Sequence, residues 1–472
     1  MNLKNYFQQA FLAVFAVSAL NAAAGNIDAT TARMTANSFW KQKAATGMFK
    51  AASSADIKLA YTEKSSVSGN AFYVFNIDGG GWVIVSGDDR AKQVLAYGDK
   101  GNIDMNNLPN NMKGYLNMLK GQIETAQAYK GQTVPAKTIK LATAVEPLLK
   151  TDWDQGEPLN RQCPLNSAGV RTSVGCGPLA MAQICYYWKY PSEVSTISGY
   201  QGTGYQWYSD LPATTFDYSK MLDNYYIHNP ETGNPTGYAP FTDEQANEVA
   251  KLSRYCGQAC KARYGNANGT STGSYTYDQR NAFVTFGFNE NMQLIGKDPS
   301  YYCSNSNKYT IEEWCELICI ELEAGRPIPY HDMYEGHAWV LDGVDADGKF
   351  HMNWGFAGRF NGWFEINALA FNPYGDSEVW DFSSGSNGGN EMIINCFPYE
   401  GYVIPGDEPQ GMRGDVNNSG DVTIADVTAL IDYLLGGDVS AINLDNADCN
   451  LDSNVTIADV TKLIDYLLSG AW

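Results

Sequence analysis

The spacing of apolar positions changes along the chain and divides it into stretches of different period. AFYVFNI at 71–77 and GWVIVSG at 81–87 are apolar runs of strand length, and the Asp78-Gly79-Gly80 between them is a hairpin signature. From Met112 to Ala128 the pattern predicts a helix. A second helix is predicted after Cys176, where the apolar run containing Leu179, Ala182 and Gln183 recurs at three and four, and FVTFGF at 283–288 reads as helix-like. HAWVLDGV, 337–344, alternates as a strand does. Near the end, 414–435 and 447–468 repeat one another at an offset of 33, with VTIADVT and LIDYLL recurring word for word, and each copy closes on an apolar helix.

The stretch before the first strands has another character. Lys4 gives a weakly positive start, Ala10 to Leu20 an apolar run, and Ala22-Ala23-Ala24 a small-residue cleavage site. A run of about eleven residues is too short to cross a hydrocarbon core of ~30 Å as a helix, so residues 1–24 read as an export signal and no transmembrane segment is expected. Residues 130–147 repeat Lys and Thr without a period and end on Pro147, which reads as an exposed linker open to cleavage. What lies between, 25–146, is then a removable prodomain.

Charge sharpens the division. The net charge of −20 resolves into +1 from Lys4, +4 over 26–146, −17 over 147–410 and −8 over 411–472. A basic segment ahead of an acidic one suits electrostatic docking. The absence of clustered Lys and Arg argues against nucleic acid as a partner. Ten cysteines invite disulfides or metal, and Cys256/Cys260 and Cys315/Cys319 are i, i+4 pairs. With only four His in the chain and none spaced to complete a site, buried free thiols are the expectation.

Candidate chemistry sits in two places. Cys176 follows Ser173 and Gly175 at the start of a predicted helix, where the N-terminus and a nearby imidazolium both favour a thiolate; His337, 161 residues on, supplies the imidazole. In the repeat, oxygen-bearing residues fall at loop positions 1, 3, 5, 7, 9 and 12. They are Asp415, Asn417, Ser419, Asp421, Thr423 and Asp426, then Asp448, Asn450, Asp452, Asn454, Thr456 and Asp459. That is the ligand spacing of a calcium loop, with Gly420 at the first turn and Ser453 in its place in the second, a weaker site. Position 12 is Asp instead of Glu, and no helix is predicted ahead of either loop, so the segment resembles a type I dockerin. That resemblance implies two structural calcium ions and a cohesin partner, or docking on the protein's own surface.

DWDQGEPLN at 152–160, VGCGPLAMAQICYYWKYP at 174–191, ELEAGRPIPY at 321–330 and GHAWVLDGVDADGKFHMNWGFAGRFNGWFEI at 336–366 occur in the order of the streptopain family of papain-fold cysteine peptidases, which the middle segment resembles. FYVFN and GWVIVSGDDR resemble that family's inhibitory prodomain. The resemblance implies an α+β papain-like peptidase, preceded by a prodomain of mixed helix and strand and followed by an all-α calcium-binding repeat. The expected boundaries are 25–146 for the prodomain, 147–400 for the peptidase, 401–413 for a linker and 414–472 for the dockerin-like module.

The resemblance makes Cys176 the nucleophile, His337 the base and later the acid, and Gln155 an oxyanion donor. Asn353 and Trp354 fall where the family places the group that orients the histidine and the indole that shields it. Trp363 reads as core, His351 as a satisfied strand histidine, and His331 as an exposed residue of the loop before His337. Pro178 is acceptable because a helix tolerates Pro in its first turn. No cofactor is expected for catalysis, and the implied substrates are proteins or peptides met outside the cell. A Cys/His amidase acting on cell-wall peptide and a non-catalytic surface-binding protein on the same fold remain alternatives.

Overall fold

Aromatic and branched residues build the first four strands, β1 (Ile57–Lys64), β2 (Asn70–Ile77), β3 (Trp82–Ser86) and β4 (Val94–Gly98), an antiparallel meander. Successive residues of β2 serve opposite faces. Tyr73 and Phe75 pack with Ala32, Ala36 and Trp40 of α1 (Ala29–Ala45), while Phe72 and Val74 join Met112, Tyr115 and Leu119 of α2 (Asn110–Ala128). Covered on both faces, β2 to β4 read as nearly continuous apolar runs, while β1 is a largely exposed edge strand. The predicted hairpin turns through Gly79 to Gly81, and a Cβ on Gly81 would lie 2.3 Å from the Trp40 ring, so the close approach of α1 requires glycine there.

The computed structural model describes residues 25–45, 56–130, 144–202, 206–265, 269–297, 299, 302–332, 336–370, 390–399, 413–417, 419, 421–436, 442–450 and 455–469. The expected signal, 1–24, and most of the expected linker lie outside them. The chain forms two compact units, 1–398 and 399–472.

Within the first unit the meander is half of a larger sheet. The remaining strands are β5 (Gln293–Gly296), β6 (Ile328–Asp332), β7 (His337–Val344), β8 (Phe350–Asn353), β9 (Gly362–Phe364) and β10 (Asn390–Ile394). The ten strands run in the order β1-β2-β3-β4-β9-β8-β7-β6-β10-β5, joined in the middle by Trp363 opposite Tyr97 and Phe364 opposite Ala96. Residues 57–98 and 293–394 therefore share one ladder. α2 seals the junction: Tyr115 stands edge-on to Trp339, Trp354 and Phe364 at 6.1, 5.8 and 5.7 Å between ring centroids.

Ion pairs bridge the same junction. Lys43 Nζ lies 3.1 Å from Asp345 and 2.8 Å from Asp347, and the Tyr97 hydroxyl donates to Asp345 at 2.6 Å. Lys92 and Lys349 share Glu365 at 2.6 and 3.0 Å. Removing one partner of such a buried group leaves a charge uncompensated, which costs more than the pair itself contributes.

The helical half comprises α3 (Cys176–Trp188), α4 (Asp243–Ala259) and α5 (Thr276–Thr285), with α6 (Ile311–Glu323) beneath the sheet. Capping boxes, Thr242 with Gln245 and Thr310 with Glu313, start α4 and α6. The FVTFGF stretch is helical only to Thr285; Phe286 caps α5 and Gly287 takes a positive φ of 83°. The result is an α+β fold, as expected, led by a segment of mixed helix and strand. Cys256, Cys260, Cys315 and Cys319 are buried free thiols, as expected.

The second unit contains α7 (Ile424–Leu434), α8 (Leu444–Ala447) and α9 (Ile457–Ser469). Its core pairs repeat-related residues, Val427 with Val460 and Leu430 with Leu463, together with Val416, Ala447 and Cys449. The one-turn α8 directly precedes the second loop, where no helix was expected: Asn443, its side chain accepting from the Asn446 N–H at 3.3 Å, starts a turn too short to show a period.

Candidate active site

Cys176 is the first residue of α3, which has neither a side-chain cap nor an acidic residue in its first turn. The helix N-terminus thus faces the thiol with its backbone N–H groups available. Gly175, the cap position, takes φ 96°, and a Cβ there would lie 2.9 Å from Thr272 Cγ2, so the approach of Thr272 and the turn into the helix both require glycine. Pro178 occupies the first turn, as its missing N–H allows.

His337 opens β7, half-buried, opposite Asp332 of β6. Burial raises the Cys176 thiol above its ordinary value, while the backbone N–H groups of Ala338, Gly177 and Cys176 itself pull it down. The Ala338 contact places the thiol against the start of the strand that carries His337. Gln155 is held beside them by its carbonyl, which accepts the Val174 N–H at 2.9 Å. Cys176, His337 and Gln155 line one cavity of about 450 Å³.

The rest of that wall was not expected from sequence. Asn106 to Pro109, which lead into α2, and Asn110, its first residue, line the cavity, as does Arg359. A polar run of Asn around Leu108 and Pro109 reads as a loop, and no local signal says which surface a loop will cover. Arg359 donates to Asn234 at 3.3 Å, and its charge acts on Asp154, whose carboxyl burial raises.

Asn353 and Trp354 are placed elsewhere. Asn353 pairs with Val340, three residues beyond His337, donates to the Thr151 carbonyl at 2.8 Å and accepts from the Gly355 N–H at 3.2 Å. The Trp354 indole donates to the Phe360 carbonyl at 3.0 Å and stacks within the Tyr115 cluster. Neither lines the cavity of Cys176; Asn353 lines a second one, of about 420 Å³, with His351 and Trp363. His351 is satisfied there, its Nδ1 2.6 Å from Asp342, as its strand position suggested, and Trp363 is core.

His331 is not an exposed loop residue. It lies in β6, 6% exposed, with Nε2 2.6 Å from Gln279 Oε1. The expected loop is shorter because β6 extends through Asp332, pairing with both β7 and β10.

In the second unit the first loop wraps buried carboxylates. Asp426, fully buried, accepts from the N–H groups of Asn417 at 3.0 Å and Thr423 at 2.8 Å, and Asp415 accepts from the Ser419 N–H at 2.8 Å. The second repeats this: Asp459 accepts from Asn450 at 3.0 Å and Thr456 at 2.7 Å. Two carboxylates drawn into one small loop among oxygen donors fit a hard divalent cation. Asp452, Asn454, Gly420 and Ser453 lie outside the described residues.

Comparison with known proteins reaches all three segments. The Peptidase C10 family matches 153–364, the Spi protease inhibitor family 24–123 and the dockerin type I domain 413–468. The thiol protease/hemagglutinin PrtT of Porphyromonas gingivalis is 28% identical over 396 residues, which cover 79% of this chain and 42% of that protein, so the chain spans less than half of that relative. Streptopain of Streptococcus pyogenes is 27% identical over 375 residues, 76% of this chain and 88% of that protein. A fragment of prointerpain A from Prevotella intermedia superposes with a TM-score of 0.56 at 26% identity, over 73% of this chain and 99% of that one.

Proposed function

We propose that this chain, which carries a streptopain-like cysteine endopeptidase domain of the Peptidase C10 family between a Spi-type inhibitory prodomain and a type I dockerin domain, is an exported zymogen that hydrolyses peptide bonds. The observation that carries the reading is the cavity lined by Cys176, His337 and Gln155, to whose wall the segment 106–110 also contributes. Residues 1–24 direct export, 25–146 inhibit, 147–400 hydrolyse, 401–413 link, and 414–472 bind calcium.

In this reading His337 removes the Cys176 thiol proton and the thiolate attacks the scissile carbonyl. The oxyanion is held by the Cys176 backbone N–H and the Gln155 side-chain amide. Collapse forms a thioester, His337 protonates the departing amine, and water then releases the acid. Asn353 and Trp354 support the strand that carries His337: Asn353 ties β8 to the Thr151 carbonyl, and Trp354 packs on Trp339 of β7 at 5.0 Å. In the zymogen desolvation favours the protonated thiol, and 106–110 occupies part of the cleft wall. Cleavage within the linker and departure of 106–110 open it.

The two loops of the tail, with the twelve oxygen-bearing residues named above, hold one calcium each. The metal supplies cross-linking of the loop and takes no part in peptide hydrolysis. A cohesin-type partner, on the cell surface or in an extracellular assembly, is the natural recipient of the helices. Among the described residues no helix is long and apolar enough to cross a membrane.

Intact mass of residues 25–472 over time, in reductant, tests the reading. Wild type is expected to lose a fragment ending in the linker and then to degrade casein, while Cys176→Ala stays whole. If trimmed wild type leaves casein intact but cleaves cell-wall peptide, the substrate is wrong; if it cleaves neither, the fold serves binding.

A further inference from the structure

Gln279, on α5 and fully buried, makes two polar contacts that the chemistry above does not use. Its Nε2 donates to the Gly177 carbonyl at 2.7 Å, one residue past the nucleophile, and its Oε1 lies 2.6 Å from His331 Nε2. Because the amide nitrogen is committed to a carbonyl, the amide oxygen is the side that meets the imidazole, and His331 must present an N–H from Nε2. His331 is paired with Ala338 across the β6–β7 ladder, and the Ala338 N–H is one of the three backbone N–H groups that act on the Cys176 thiol. A continuous polar path thus leaves the first turn of α3, passes through α5 and ends on the strand that begins with His337.

We infer that Gln279 and His331 are positioning residues, a brace that fixes the start of α3 against the β6–β7 hairpin and so sets Cys176 relative to His337. The inference rests on the peptidase reading. Neither group touches the cleft. Their effect comes through the location of the Cys176 backbone, which carries both the nucleophile and an oxyanion donor. Burial pushes the His331 imidazole down to about 3, so it is neutral wherever the enzyme works and its donor pattern does not change with pH. Displacing a reacting atom by about 1 Å is enough to cost on the order of 100-fold in rate.

The test uses the full chain after linker cleavage, with active sites counted by an irreversible thiol-directed peptide inhibitor. Rates are measured on a fluorogenic peptide with an apolar residue two positions before the cleaved bond. Gln279→Glu keeps the shape and the acceptor for His331 but sets a second acceptor against the Gly177 carbonyl; His331→Leu removes the donor. Each is expected to lower kcat per titrated site by about ten-fold or more with KM nearly unchanged. Each should also displace the pH profile of Cys176 alkylation by iodoacetamide. His331→Gln, which restores an N–H donor, should recover most of the rate.

If Gln279→Glu and His331→Leu match wild type in kcat per site and in alkylation profile, whatever their thermal stability, the brace is overturned and the peptidase reading stays intact. Wild type that neither cleaves peptide nor reacts at Cys176 overturns both. If His331→Leu does not fold, Gln279→Glu, close in shape to the native side chain, carries the same decision.

Discussion

In the 1–398 unit Tyr115 is buried among Trp339, Trp354 and Phe364, side chains brought from β7, β9 and the turn after β8, up to about 250 residues away along the chain. In the 399–472 unit the core residues Val427, Leu430, Val460 and Leu463 come from two copies of one short motif, and the loops between them gather carboxylates instead of rings. The first unit holds its site by distant apolar burial and buried ion pairs. The second is too small for that, as small units generally are, and relies on local caps and, in the proposed function, on calcium. The contrast teaches where each is vulnerable: the peptidase to changes at its junction with the prodomain, the tail to removal of its cation.

The largest effect that would test this contrast is truncation at the junction. Tyr115→Ala should destabilise the 1–398 unit by about 3–5 kcal/mol, the usual cost of deleting a buried aromatic, and leave amide protection in α7 and α9 untouched. Denaturant unfolding followed by tryptophan emission measures the first and hydrogen exchange the second. Protection lost in both would break the comparison.

Chelation is the converse. At free calcium about 100-fold above Kd the metal contributes roughly 2.7 kcal/mol to each site it fills, so excess EGTA should abolish protection of α7 and α9 while casein hydrolysis by the trimmed enzyme persists. Loss of hydrolysis would mean that calcium also acts in the larger unit.

A pH titration of stability distinguishes the units more finely. Burial holds His331 at about 3, below its ordinary value, so between about 6.5 and 3 the unfolded chain binds a proton that the folded one does not. Stability of the 1–398 unit therefore falls as pH drops through that window, by up to about 1.4 kcal/mol per pH unit from this group alone. His331→Gln should remove that share of the slope in urea unfolding curves taken at successive pH values. The same slope in wild type and variant would show that the residue is not held neutral.

Smallest is the loss of a helix cap. Thr423, which accepts the Ala425 N–H at 3.3 Å, and Thr242, which accepts the Gln245 N–H at 3.2 Å, should each cost about 1 kcal/mol when replaced by Ala. In a unit of 74 residues that loss lowers Tm by roughly 4–8 °C, and in a much larger one by roughly 2–4 °C or less. Calorimetry of Thr423→Ala beside Thr242→Ala should therefore show the greater shift in the tail.

Local signals carried much of this molecule. The β2–β3 hairpin, α2, α3 and β7 were legible because apolar period and turn residues are short-range properties, and the repeat with its oxygen spacing was legible because a metal loop is contiguous in sequence. Cys176 and His337 could be singled out by residue type and flanking pattern. His331 was misplaced because a strand that pairs on both sides and buries one histidine leaves no mark in a seven-residue window. The proximity of 106–110 to Cys176 was likewise invisible.

Sequence by itself determined the elements, the candidate nucleophile and base, and the calcium-type loops, since each depends on chemistry within a turn or two of chain. Only the tertiary structure decided that β4 and β9 join two segments into one sheet, that Asn353 lines the cavity of His351 and not that of Cys176, and that Gln279 links the Gly177 carbonyl to His331. Those are contacts between residues tens to hundreds apart, fixed by which apolar faces find each other, and no local pattern encodes the partner of a face.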